Sequence, residues 1–171
     1  MDNIGSVFVA VVSGAIPGMI TAFTSNYLGY FGEPSSIMFG CLTVIIAFLS
    51  ANISQKGLLR KAKGYVILFV MMVIVSGAVG SVFGWYLYGE TVGTTIAAPY
   101  VFWLCDCGLE GFWAQFLGYI ILDISDKIIT VLAVAALICV FPRKLRNAFP
   151  LSYIYKCSDD ELAEEYEKNK H

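Results

Sequence analysis

Four stretches of this chain are each twenty residues or longer and almost free of charge: 5–31, 35–54, 64–88 and 112–141. About 20 apolar residues, wound as a helix, cross the ~30 Å hydrocarbon core of a bilayer. Runs of that length leave few folds open, because a lipid-exposed backbone must satisfy its own hydrogen bonds. Apolar residues make up 58% of the 171, above the roughly 45–50% of a soluble domain. The fold class expected is all-α, a polytopic integral membrane helical bundle of four transmembrane helices. Residues 1–149 form the membrane domain, and residues 150–171 form a short acidic cytoplasmic tail. Ser158 and Glu161 make a capping box at the start of a tail helix.

Small residues and prolines shape these segments. Ala10, Gly14, Gly18 and Ala22 recur every four residues in the first run, a ladder that lets another helix approach closely, inside the chain or outside it. Pro17 falls within the ladder and predicts a kink in one long helix. Gly32-Glu33-Pro34 is a turn. The third run carries a second small-residue ladder at Ser76, Gly80 and Gly84, with Gly77 and Ser81 beside it, and ends in the aromatic group Trp85, Tyr86 and Tyr88. Residues 96–122 form a re-entrant piece or an additional helix. The run from Phe112 to Phe141 is ~45 Å long as one helix, so it tilts, projects or breaks near Ser125.

That last run carries a polar stripe. Asp123, Asp126, Lys127 and Thr130 are spaced by three and four and share one helical face. A charge in hydrocarbon costs ~2.5–3.5 kcal/mol or more, so it turns towards a partner or a cavity. Asp123 before Lys127 is also the favourable order for an intrahelical ion pair. That pairing alone would make the stripe a membrane anchor, but it leaves Asp126 unexplained.

The basic residues orient the segments. Lys56, Arg60, Lys61 and Lys63 follow the second run, and Arg143, Lys144, Arg146 and Lys156 follow the last. The positive-inside rule places these, and both termini, in the cytoplasm of a multi-pass cell-membrane protein. Thr21 to Asn26, Ser81 to Trp85 and Asp123 to Lys127 then fall in the outer half of the bilayer. Trp103, Asp106, Glu110 and Trp113 lie above them. The candidate small-molecule site is therefore Asn26, Trp85, Trp103, Trp113, Asp123, Asp126 and Lys127: a few polar groups in an apolar pocket. The acids and lysine suit a cationic or zwitterionic solute, and the tryptophans suit a flat ring.

Several functions are disfavoured. Eleven basic against 13 acidic residues give no nucleic-acid footprint. Cys105-Asp106-Cys107 lacks zinc spacing, so no metal site is expected. His171 is the only histidine, which argues against haem ligation and histidine catalysis. No phosphate-loop motif is present. No cofactor is expected and the chain is not read as an enzyme. The first residues, MDNIGSVFVAVV, carry no basic start and argue against a cleaved signal peptide.

Asp123-Ile-Ser-Asp-Lys127, the apolar run after it, and Pro142-Arg143-Lys144-Leu145 resemble the end of some S components, the membrane substrate-binding subunits of energy-coupling factor transporters. Gly14 to Ile53 is similar in type: small residues, then Asn26-x-x-Gly29 and the Glu33-Pro34 turn, then an apolar span. The resemblance covers roughly half of the chain. It implies a helical bundle that binds a vitamin-sized solute near the outer face. It also implies a transmembrane coupling subunit driven by two cytoplasmic ATPases, with Ala10, Gly14 and Gly18 as the matching docking surface. Similar modules also serve as sensors or assembly factors, so a signalling module without transport activity is the alternative.

Overall fold

The computed structural model describes residues 3–32, 36–88, 98–109, 111–140 and 149–151. Among them there is no strand. The helices are α1 (Asn3–Ser13), α2 (Ala15–Gly29), α3 (Ser36–Gln55), α4 (Ala62–Met72), α5 (Gly80–Tyr88), α6 (Ala98–Asp106) and α7 (Phe112–Val140). A π-helical segment, Val73–Val79, joins α4 to α5 without a break. Among the described residues, two helices are long and apolar enough to cross a membrane, α3 and the composite Ala62–Tyr86. The Glu33-Pro34 turn, Glu110, the basic group at 143–146 and the acidic tail lie outside the described residues.

The first apolar run is not one kinked helix. Gly14 has φ 102° and ψ −178°, a conformation open essentially to glycine alone. There the chain folds back. A Cβ placed on Gly18 would lie 2.6 Å from the Cα of Ala10. Pro17 sits in the first turn of α2, where its missing N–H costs nothing, so it does not kink the helix. Ala10 and Ala22 meet Ala47 and Ala51 of α3 in one close-packed cluster. The ladder of Ala10, Gly14 and Gly18 is thus occupied inside the chain, and all three residues are buried.

Contacts fix the direction of α1. Ser54 Oγ, at the end of α3, donates to Val11 O at 2.6 Å. Leu151 N donates to Val12 O at 3.1 Å. The C-terminus of α1 therefore sits at the end of the bundle that carries the Lys56–Lys63 loop. Eleven residues rise only ~16 Å, so α1 begins inside the bundle. Asn3 is buried there. Val7 and Val11 of α1 are enclosed by Ile46 of α3, Leu68 and Met72 of α4, and Val131 and Val134 of α7.

Helix α7 runs unbroken through Ser125 for 29 residues. The ambiguous piece before it resolves into α6, nine residues long, or ~13 Å, too short to cross a bilayer. It packs on the start of α7 through Val101, Leu104 and Ala114. Gly118 makes that approach possible, since a Cβ there would lie 2.6 Å from Val101 Cγ2.

Candidate functional site

The polar stripe of α7 faces inward. Lys127 is 3% exposed, and Thr130 beside it is fully buried and donates to Asp126 O at 3.0 Å. The lysine Nζ lies 2.9 Å from Asp126 Oδ2 and 3.3 Å from Asp123 Oδ1. One ammonium thus serves two carboxylates. Helix spacing explains the first pair, since positions 123 and 127 stack one turn apart; the adjacent Asp126 is met by the flexible lysine side chain.

The opposing wall is the π segment. Ser76 Oγ donates to Asp123 Oδ1 at 2.6 Å. Gly77 packs directly on the same carboxyl group; a Cβ there would lie 3.2 Å from Asp123 Oδ2. That Oδ2 is buried and has no hydrogen-bond partner among the described residues. A buried acceptor without a donor costs ~1–3 kcal/mol. Such an atom, in an otherwise paired cluster, is where an incoming donor gains most. The cluster lies ~17 Å from the start of α7 and ~26 Å from its end, by helical rise, and so sits deep in the bundle.

The remaining candidate residues are set apart from this centre. Asn26 lies between α2 and α3, donating to Ala22 O at 2.8 Å and Thr43 Oγ1 at 2.6 Å. With Phe23, Ile37, Gly40, Cys41, Val44 and Ile45 it lines an open, largely apolar groove of about 410 Å³. Trp85 packs edge-on against Phe112 with ring centroids 5.5 Å apart. Trp113 joins that group through Phe112 and Phe116. Trp113 is 62% exposed and Trp103 on α6 is 60% exposed. Trp113 precedes Asp123 by ten positions, ~15 Å along the helix. Trp85 and Trp113, with Phe112 and Phe116, thus form an aromatic group near the start of α7, set off along the helix from the charged cluster. Asp106 is exposed at the end of α6.

Ser76 and Gly77 are the site residues that sequence reasoning took for part of a packing ladder. The available signal was a hydroxyl beside a glycine in the middle of an otherwise aliphatic run. Two further buried acceptors, Asn3 Oδ1 and Gln115 Oε1, also have no partner among the described residues. No group of three or more His, Cys, Asp or Glu side chains that could hold a metal occurs among the described residues. No family model, curated protein or solved structure matches the chain.

Proposed function

We propose that this protein is a membrane-embedded binding subunit for a small, vitamin-like solute, working with a transmembrane coupling subunit and cytoplasmic ATPases of the energy-coupling factor type. The observation that carries this reading is the cluster of half-buried Asp123, Asp126 and Ser76 around the buried Lys127 inside an apolar helical bundle. Charged side chains at such depth are expensive and mark solute or ion sites. The outward faces support a lipid setting: Ile16, Ile20 and Phe23 on α2, Val66 and Val70 on α4, and Ile128 and Leu132 on α7 are all exposed. In this reading α3, α4–α5 and α7 cross the bilayer, α2 runs antiparallel to α3 over most of its thickness, and α1 fills the bundle from the cytoplasmic side. Asp123 takes a cationic or hydrogen-bond-donating group of the solute, Lys127 an anionic one. The aromatic group of Trp85, Phe112 and Trp113 caps the route from outside.

Native mass spectrometry of the protein purified in mild detergent tests this reading. A small-molecule adduct is expected on the wild-type chain and is lost from Asp123→Asn and Lys127→Met variants that remain folded. A wild-type chain free of adduct, purified from cells grown in rich medium, would overturn it.

A further inference from the structure

The composite helix α4–α5 changes its winding at the level of the charged cluster. Residues 73–79, VIVSGAV, run as a π-helix, with α-helix before and after. Such segments are uncommon, usually a single turn, and concentrate at functional sites. No proline within 73–79 imposes the change. It packs on α3 and α7, and its side-chain polar contacts run to α7 and to the start of α5. Ser76 Oγ donates to Asp123 Oδ1, Gly77 rests on the Asp123 carboxyl and Ile120, and Ser81 Oγ donates to Gly77 O.

Everything beyond the segment takes its facing from that winding. Ser81 is 1% exposed and Val82 is 52% exposed. Trp85 is half-buried on Phe112, while Tyr86 is 85% exposed. An α-helix turns through more angle per residue than the wider π form, by the difference between i→i+4 and i→i+5 closure. Rewinding seven residues from π to α therefore rotates α5 by about one residue position, ~100°. Each side chain of α5 then takes the bearing its successor held. Ser81 moves to the outward place of Val82, and Val82 to the half-buried place of Phe83. Trp85 moves to the exposed place of Tyr86 and leaves Phe112.

We propose that the Ser76–Asp123 hydrogen bond is a latch. It keeps Val73–Val79 in π winding, and a ligand donor that displaces Ser76 from Asp123 Oδ1 releases it, turning α5 and withdrawing Trp85 from the aromatic cap. The trigger rests on the reading of the cluster as a solute site; the latch does not, and it is testable without any solute. Its chemistry gives the site a readout at the far end of the same helix, ~13 Å away by helical rise.

The test uses the full chain in lipid nanodiscs with its native cysteines replaced. One form carries a nitroxide at position 82; the other retains Trp85 as its only tryptophan, with Trp103 and Trp113 changed to Phe. In the otherwise unchanged protein the nitroxide is expected to collide freely with dissolved oxygen, and Trp85 is expected to be shielded from acrylamide. Ser76→Ala removes the donor. Gly77→Ala, by a separate route, wedges the segment off Asp123 and raises helix propensity. Each is expected to lower oxygen collision at position 82 and to increase quenching of Trp85. Ser76→Thr, which keeps the hydroxyl, is expected to read as the unchanged protein. Unaltered readings in Ser76→Ala and Gly77→Ala, or a shifted reading in Ser76→Thr, overturn the latch. Should Ser76→Ala fail to fold, Gly77→Ala decides. Release on mutation in a protein that shows no solute adduct would leave the latch standing and remove only its trigger.

Discussion

Lys127 holds the cluster together, since its single ammonium lies within ion-pair distance of both Asp123 and Asp126. Taking one partner from a buried ion pair leaves the other charge uncompensated, at a cost of about 3–5 kcal/mol. Asp126 is 27% exposed on its side chain, so water offsets part of the loss and Lys127→Met is expected near the lower figure. Asp126→Asn leaves the Lys127–Asp123 pair in place and is expected to cost about 1 kcal/mol. Asp123→Asn falls between the two, because the amide oxygen still accepts from Ser76 while the ion pair is lost. Thermal unfolding of the three variants in one detergent orders them; Asp126→Asn as damaging as Lys127→Met would refute the geometry. The cluster was legible in the sequence because spacings of three and four put charges on one helical face. Ser76 was not: a hydroxyl in an apolar run reads equally well as packing, and only a fold shows that it meets a carboxylate 47 positions away.

The first two helices show where periodicity misleads. Ala10, Gly14, Gly18 and Ala22 keep a four-residue repeat, which suits one continuous helix with a groove along it. The fold breaks that repeat at Gly14 and presses its two halves together, because a small residue that permits close approach also permits a left-handed turn. Composition does not distinguish these uses. By contrast, α3, α4–α5 and α7 followed from the length of their apolar runs, and α7 needed no break at Ser125. Glycine substitutions separate the two meanings. Gly18→Ala puts a methyl group into Ala10 and is expected to destabilise by about 1–3 kcal/mol, as overpacking does. Gly14→Ala forces a conformation that costs about 1–3 kcal/mol for a residue with a side chain. Gly5 has nothing within 4 Å of its would-be Cβ, so Gly5→Ala is expected to be neutral or to stabilise by up to about 1 kcal/mol through helix propensity. Melting temperatures of the three, compared with wild type, check the fold-back; a Gly18→Ala protein as stable as Gly5→Ala would mean that α1 and α2 do not meet.

At the scale of the molecule, the two ends differ in charge and in chemistry. One end carries Lys56, Lys61 and Lys63, all exposed, together with the end of α1 and Leu151, which bonds to it. The other carries the aromatic residues Tyr27, Tyr30 and Phe31 at the top of α2, stacked edge-to-face. Basic residues are retained on the cytoplasmic side of membrane proteins, while tyrosine and tryptophan settle at either interface. The proposed orientation therefore puts the Lys56–Lys63 loop in the cytoplasm and the Tyr30 end outside, with the charged cluster reached from outside past the aromatic group. Single cysteines in a chain freed of its native ones decide the point. In intact cells an impermeant thiol reagent is expected to label Phe31→Cys and to leave Lys56→Cys unmodified until the membrane is opened. Both positions are exposed, so a failure to react reports sidedness and not burial. The reverse pattern would turn the bundle over. The aromatic group would then face the cytoplasm, and uptake from outside could not begin at Trp85. Labelling of both positions in sealed cells would remove the membrane-crossing arrangement altogether, because α3 joins these two ends and would no longer separate two compartments.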